Sequence, residues 1–236
     1  MTNFNDVKMD VQVEHQEEKV YTPQGGVAES GIYQAKILDA HLQVSSTSKA
    51  KGLKLNLRLE NGSFVEETLW VIGKQGTPYY TKEGKNFELP GYMVANSLAN
   101  LVVGKDIDTL TTEEKIIADR SFGAAEGATR TVSAFVELIG QDTKVGIRKE
   151  VEFKKALVNG QFIDTNETKE LNHIDRFFCP SSGQTAKEKR NNLPAQYSVD
   201  FLETSKGKVF DRTKGKKPEA NATTTQTTVS GLTPAF

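Results

Sequence analysis

The segment at residues 53–60 reads LKLNLRLE and alternates leucine with a polar or charged residue without exception. Successive side chains of a β-strand point to opposite faces, so this pattern predicts a strand with its leucines against a core. The residues facing outward are then Lys54, Asn56 and Arg58. Asn61-Gly62 follows and is typical of a tight hairpin with positive φ at both positions. Residues 63–72 are predicted to return as the next strand.

In the segment before it, residues 31–44, the alternation of apolar and polar residues shifts by one position part of the way along. Apolar side chains occupy one phase up to Ile37 and the opposite phase from Leu38 onward. A β-bulge in a strongly bent strand produces this change. Three strands in a meander follow from these patterns. Further strands are predicted at residues 131–139, 144–158 and 196–203, the second with Arg148 and Lys154 on its polar phase.

Helices are predicted at fewer positions. Residues 90–103 combine Pro90 in a first turn, an apolar stripe and Gly104 just after the end. Residues 111–114, Thr-Thr-Glu-Glu, resemble a capping box for a second, shorter helix. Residues 184–190 are a basic helical candidate that carries Lys187, Lys189 and Arg190. The fold class is therefore mainly β with inserted helices: a small β-barrel elaborated by one or two helices.

The two ends of the chain differ from its centre. Residues 1–30 hold six acidic residues against two lysines, a net charge of −4, and residues 1–29 are expected to form a flexible arm. Residues 214–236 are polar and rich in threonine, so they are expected to be a disordered tail. A single domain over residues 30–213, with its helical insertion near 90–120, is left between them.

Several classes of function are disfavoured. The chain has one cysteine, three scattered histidines and none of the glycine-rich or nucleophile motifs of common enzymes, so we expect no metal, no cofactor and no catalytic activity. There is no apolar run of membrane-spanning length and no signal-peptide pattern at the start. The expected location is the cytoplasm, without membrane association.

Residues 70–87, WVIGKQGTPYYTKEGKNF, mix aromatic and basic side chains. Single-stranded nucleic acid offers unstacked bases on a chain of phosphates, and flat aromatics interleaved with cations match that chemistry. The aromatic candidates are Trp70, Tyr79, Tyr80 and Phe87, and the basic ones are Lys74, Lys82 and Lys85. The structural alternative is that Trp70 and Phe87 belong to the core and the lysines to a solvated loop.

Basic residues elsewhere extend this hypothesis. Residues 176–217 carry ten basic against four acidic side chains, beginning at Arg176. If the sheet closes into a barrel, polar rows from separate strands line one groove. The full set of candidate cations outside residues 70–87 is Lys54, Arg58, Arg148, Lys154, Arg176, Lys187, Lys189 and Arg190.

Several segments taken together resemble single-stranded DNA-binding proteins of lytic podoviruses. They are GIYQAKI at 31–37, ETLW at 67–70, KEGK at 82–85, PGYMVANSLA at 90–99 and NHIDRFF at 172–178. The resemblance implies an OB-like β-barrel that coats single strands during phage replication and recombination in the bacterial host cytoplasm. It also implies that residues 70–87 contact DNA, with the helix at 90–103 between the third and fourth barrel strands.

Two other functions stay open at this point. One is a transcription cofactor that recruits or activates an RNA polymerase. The terminal Phe236 is the candidate partner-binding residue, and its expected partners are an RNA polymerase or phage replication proteins. The other is a structural or virion protein whose basic face meets packaged DNA. We expect a monomer or a small homo-oligomer, and the residues do not distinguish DNA from RNA.

Overall fold

The computed structural model describes residues 26–45, 47–118, 125, 127–158 and 161–216. Within them the chain is mainly β, as predicted, with three inserted α-helices. The strands are β1 Gly31–Val44, β2 Lys51–Leu59, β3 Phe64–Ile72, β4 Tyr79–Lys82, β5 Lys85–Glu88, β6 Glu113–Ala118, β7 Thr129–Ala134, β8 Asp142–Val158, β9 Gln161–Phe178 and β10 Val209–Asp211. The helices are α1 Pro90–Val102, α2 Ala186–Arg190 and α3 Gln196–Ser205, with a 3₁₀ turn at Ile107–Thr109.

Strand β1 lies at the centre of the main sheet. It pairs antiparallel with β2 on one edge and with β8 on the other, while β3 continues the sheet beyond β2 and β9 beyond β8. Strand β10 pairs parallel with β8. The β6–β7 hairpin joins β1 through one residue pair, His41 opposite Ala134. Strands β4 and β5 form a separate two-stranded sheet.

The leucines of β2 form the middle of the core, which confirms the alternation seen in the sequence. Leu53, Leu55, Leu57 and Leu59 are all buried. The predicted bulge is also confirmed, because the register between β1 and β2 shifts between Ile37 and Asp39. Only Gly62 of the predicted turn pair has positive φ, at +85°.

The strands do not close into the predicted barrel. Within the described ranges, β3 pairs only with β2 and β9 pairs only with β8, so an edge of each strand is left without a strand partner. Side chains bridge the gap: the Glu67 carboxylate accepts a hydrogen bond from the Ile174 N–H at 2.6 Å. Helix α1 packs over this gap with Ala95, Leu98 and Ala99 against the core.

The prediction of helix α1 is confirmed within one residue. Helix α2 covers Ala186–Arg190 of the basic segment that was predicted as helical at 184–190. None of the helices in the described ranges is long and apolar enough to cross a membrane. The predicted helix at residues 111–114 is wrong, since Glu113 begins strand β6. Strand β6 forms because it has a full antiparallel partner in β7. Strand β7 itself ends at Ala134, five residues before the predicted end at 139.

The predicted strand at residues 196–203 is also wrong, because these residues form α3. The buried side chains of α3, Phe201 and Ser205, are four residues apart and therefore lie on one helical face. Phe201 packs beside Gly146 of β8. Both edges of β8 are already paired at this point, with β1 and with β9, so another strand could not join the sheet there. Burial of one apolar face thus selects a helix over the strand pattern.

The predicted arms lie largely outside the described residues. Ala28, which falls within the predicted arm, is buried, and its N–H and C=O both bond the Asn172 side-chain amide, at 2.8 and 2.7 Å. The Ser30 hydroxyl donates to the Lys208 carbonyl and accepts from the Lys149 N–H. The folded domain therefore includes Ala28.

Candidate nucleic-acid interface

Strands β4 and β5 form a hairpin, residues 79–88, whose eight strand residues are all exposed. Its turn is Glu83-Gly84 with φ of +52° and +73°, the pair of positive φ values that a two-residue type I′ turn requires. At its base the Leu89 N–H donates to the Pro78 carbonyl at 2.8 Å. The hairpin is therefore well defined locally while its side chains are solvated.

The two faces of the hairpin carry different chemistry. Tyr80 is opposite Phe87 and Lys82 is opposite Lys85, so these four side chains share one face, which we call the aromatic face. The Tyr80 and Phe87 rings are stacked, with centroids 5.7 Å apart and planes 27° apart. The other face carries Tyr79, Thr81, Asn86 and Glu88. The adjacent tyrosines, predicted as one pair, thus point to opposite sides.

The aromatic face has no role in the core. Tyr80 is 45% exposed and Phe87 is 44% exposed, which rejects the alternative that Phe87 is a core residue. The described residues include no ion pair to Lys82 or Lys85. Lys74, in the loop before the hairpin, is exposed as well. Stacked rings and solvated ammonium groups therefore lie together on one projecting surface.

Trp70 lies on the outward phase of β3, nine residues before Tyr79 at the start of the hairpin, and is 42% exposed. Two glycines fix its place. A methyl group on Gly52 would lie 3.1 Å from Cε3 of the indole, and one on Gly91 would lie 2.4 Å from the Trp70 carbonyl oxygen. Strand β2 and the start of α1 therefore approach Trp70 closely because neither position carries a side chain.

A groove of about 820 Å³ runs over the outer surface of β1, β2 and β3 and is closed on one side by the β6–β7 hairpin. We call it the outer groove. Its lining includes His41, Lys54, Thr68, Trp70, Lys115 and Arg130. Several of its charges are already paired, since Lys54 Nζ is 2.5 Å from Glu66 Oε1 and Lys115 Nζ is 3.8 Å from Asp39 Oδ1.

The floor of the outer groove is polar and largely buried. His41 Nδ1 lies 2.7 Å from Asp39 Oδ2, and Arg130 Nη2 lies 3.4 Å from His41 Nε2. Burial raises the pKa of Asp39, but the hydrogen bond from His41 and the charge of Lys115 outweigh it, so this pKa lies below its ordinary value. The carboxylate form of Asp39 is therefore favoured.

A second groove, of about 480 Å³, lies between β3, the first half of α1 and β9, and we call it the helix groove. Its walls include Trp70, Leu89, Met93, Val94, His173 and Arg176. Trp70 and Thr68 line both grooves. Trp70 therefore lies where the two grooves adjoin.

The predicted cations of the strands fall into two groups. Lys54 lines the outer groove, and Arg58 is exposed on the same strand. Arg148 and Lys154 line neither groove: Arg148 Nη2 is 2.6 Å from Asp175 Oδ1, and Lys154 Nζ is 2.8 Å from Glu167 Oε2. The predicted common groove of these rows is not formed, because the sheet does not close.

Helix α2 presents Lys187, Lys189 and Arg190 to solvent. Its N-cap is Thr185, which forms a capping box with Glu188. The buried Glu188 carboxylate also accepts from the Tyr197 N–H at 2.8 Å, which ties α2 to α3. Burial raises the pKa of Glu188, but these hydrogen bonds outweigh it and hold the pKa below its ordinary value. A buried charged cap thus orients the basic helix.

Arg176 is placed differently from the other candidates. Its guanidinium carbon lies 4.3 Å from the centroid of the Tyr197 ring, a cation–π contact, and it lines the helix groove.

Phe236 lies outside the described residues. Sequence reasoning missed Gly52, Met93 and His173. A glycine inside a strand marks a close approach, so Gly52 carried a signal.

No protein-family model matches this chain, and a comparison with curated proteins found no similar sequence. The resemblance to podoviral single-stranded DNA-binding proteins therefore stays a prediction from the segments quoted above. The features of the molecule that bear on its function are the aromatic face, Trp70, the two grooves and the exposed cations.

Proposed function

We propose that this protein binds single-stranded DNA with little sequence preference and without catalytic activity. The observation that carries the proposal is the stacked, exposed pair Tyr80 and Phe87 on the same hairpin face as Lys82 and Lys85. Following the resemblance, we place this activity in phage DNA replication and recombination in the cytoplasm of a bacterial host.

The chemistry of the aromatic face matches what an unpaired strand offers. Every base has a π-face, and stacking of one base on an aromatic side chain is worth about 1–3 kcal/mol whatever the base. Lys82 and Lys85 lie beside the rings, where a backbone phosphate would follow a stacked base. Duplex DNA keeps its bases stacked on each other, so it gains much less from the exposed rings.

The exposed rings of Tyr80 and Phe87 are adjacent rather than scattered, and adjacent exposed apolar side chains are typical of an interaction site. A two-stranded hairpin is only marginally stable in water, and this one hydrogen-bonds to no other strand in the described residues. The pair of rings stabilises the hairpin by cross-strand stacking, which still leaves both rings more than 40% exposed. A solvated aromatic platform of this kind favours a ligand with flat apolar surfaces.

The test is fluorescence anisotropy with labelled oligo-dT and with duplex of the same length, at several salt concentrations. We expect tighter binding of the single strand and a log–log salt slope of about −0.7 per phosphate neutralised. A Tyr80→Ala/Phe87→Ala variant should lose at least about tenfold in affinity. Val199→Ala, which removes an exposed apolar side chain on α3, is the matched control and should bind as the parent does.

Two results would contradict the proposal. Equal binding of duplex and single strand would favour a DNA-packaging role instead. An unchanged affinity in the double variant would mean that the two rings serve the hairpin or a protein partner rather than bases.

A further inference from the structure

The helix groove has an apolar interior and one basic end. Its apolar walls are Trp70 on β3 and Leu89, Pro90, Met93 and Val94 at the start of α1. Met93 is 48% exposed although it is a large apolar side chain on a helix that otherwise covers the core. The groove therefore exposes apolar surface that no described part of the chain covers.

The two acidic groups in this groove, Glu67 and Asp175, are paired with neighbouring side chains. Glu67 Oε1 lies 2.7 Å from His173 Nδ1, and Glu67 Oε2 accepts from the Ile174 N–H. Asp175 is held by Arg148 at 2.6 Å. While His173 is protonated, an anionic ligand entering the groove therefore meets carboxylates whose charge is already compensated.

Arg176 supplies the positive charge. It forms no ion pair with the described residues, and its Nε is buried without a hydrogen-bond partner. Stacking on Tyr197 holds the guanidinium plane in place without using its outer N–H groups. An ordered guanidinium of this kind is well suited to a phosphate.

The helix groove adjoins the outer groove, and the hairpin proposed to bind DNA begins and ends beside it. Trp70 and Thr68 line both the outer groove and the helix groove, so a strand stacked on the indole has the helix groove directly beside it. The hairpin starts and ends next to the same place, since Leu89 and Pro90 follow β5 and line the groove.

We propose that the helix groove is a second nucleotide subsite, which takes the bases beyond Trp70 against Met93 and Val94 and their phosphate on Arg176. This inference rests on the proposed function and adds to it a path for the strand, across Trp70 and between β3 and α1. An apolar peptide segment of a protein partner is the competing occupant, and the experiment separates the two.

The experiment measures affinity against strand length, with oligo-dT of about 4, 8, 12 and 16 nucleotides, the range covered by small β-barrel binders. The variant is Met93→Glu, which places a negative charge in the groove at an exposed helix position. Val199→Glu makes the same change on α3, outside both grooves, and is the control. Met93→Lys carries the opposite charge.

The subsite predicts a loss that depends on length. Met93→Glu should bind the shortest oligonucleotide as the parent does and the longest about tenfold more weakly, whereas Val199→Glu should follow the parent at every length. Met93→Lys should keep more affinity for long strands than Met93→Glu, because its charge attracts phosphate.

The following outcomes would overturn the inference. If Met93→Glu matches Val199→Glu at all lengths, no nucleotide occupies the groove, while the proposed function stands. If Met93→Glu and Met93→Lys lose affinity equally at every strand length, the loss does not come from a subsite for the nucleotides beyond Trp70. If the parent protein binds no single strand, the proposed function fails and this inference fails with it.

Discussion

His173 Nδ1 lies 2.7 Å from Glu67 Oε1 and so connects two strands, β9 and β3, that share no backbone hydrogen bonds. The same carboxylate accepts from the Ile174 N–H. These contacts hold together the open side of the sheet, beside Trp70 and under α1. The pair of Glu67 and His173, which both line the helix groove, therefore helps to fix the spacing between its two strands.

This pair should make stability depend on pH. The hydrogen bond to Glu67 raises the pKa of His173 above its usual 6.5, although burial opposes the shift. A histidine whose pKa is higher in the folded state stabilises the fold fully below its unfolded pKa and loses that contribution as pH rises through the folded pKa. Urea unfolding between about pH 5 and pH 9 should show this loss above about pH 6.5.

The control for this prediction is His173→Gln, which keeps a hydrogen-bond donor but does not titrate. Subtracting its pH profile from that of the parent isolates the contribution of His173. Because the pair is partly exposed, the difference should be at most about 1 kcal/mol. Identical profiles for the two proteins would show that the pair does not titrate as described.

The two faces of the hairpin predict unequal effects for neighbouring tyrosines. Tyr80→Ala removes a ring from the aromatic face and should weaken single-strand binding about tenfold. Tyr79→Ala removes a similarly exposed ring from the opposite face and should change affinity by less than about threefold. Anisotropy titrations of both variants decide the matter, and equal losses would show that strand contact is not limited to one face.

Gly52 should act as a positioning residue for Trp70. A methyl group there would lie 2.7 Å from Thr68 Cγ2 and 3.1 Å from the indole, so Gly52→Ala should displace the ring. We expect a loss of about 1–3 kcal/mol in stability and a shifted tryptophan emission maximum. Gly26→Ala is the control, because nothing lies within 4 Å of the added methyl group. An unshifted emission spectrum in Gly52→Ala would contradict this role.

Paired and unpaired lysines should differ in the salt dependence of binding. Replacing Lys82 and Lys85 with alanine should make the log–log salt slope shallower by about 0.7 for each phosphate that these lysines neutralise in the parent. Lys154→Ala should leave the slope unchanged, because Lys154 is paired with Glu167 on a part of β8 that lines neither groove. A change of slope for Lys154→Ala equal to that for Lys82→Ala would mean that DNA reaches the β8–β9 ribbon.

The local sequence pattern was sufficient to predict those elements whose structure is determined by residues close together in the chain. The leucine alternation in β2 and the phase change in β1 each report directly which side chains are buried. Helix α1 has its proline at the start and an apolar stripe along one face. For these elements, burial and chain geometry favour the same structure.

Other elements depend on partners far away in the chain. Residues 111–114 resemble a capping box, yet strand β6 forms because β7 pairs with it. Residues 196–203 alternate like a strand, yet α3 forms because Phe201 packs against β8. The open side of the sheet depends on Glu67 meeting His173, more than 100 residues later in the chain. No local sequence pattern indicates contacts between residues that are so far apart in the chain.

The candidate site was predicted in part. The sequence identified the aromatic and basic residues of the hairpin, but not that Tyr79 and Tyr80 face opposite ways, because that follows from the register set by the turn at Glu83 and Gly84. It grouped Arg148 with the binding cations, whereas Asp175 and the rings of Phe201 and Phe210 surround its guanidinium. A charged residue in the sequence does not reveal whether its charge is already paired.

The most direct test of strand binding uses Trp70, the single tryptophan of the chain, as a reporter. Titration with unlabelled oligo-dT should quench its fluorescence saturably, because a base stacks on the exposed indole, and duplex of equal length should quench it far less. Saturable quenching by the single strand alone is the result that this account predicts. No quenching by oligo-dT, or equal quenching by duplex, would contradict it.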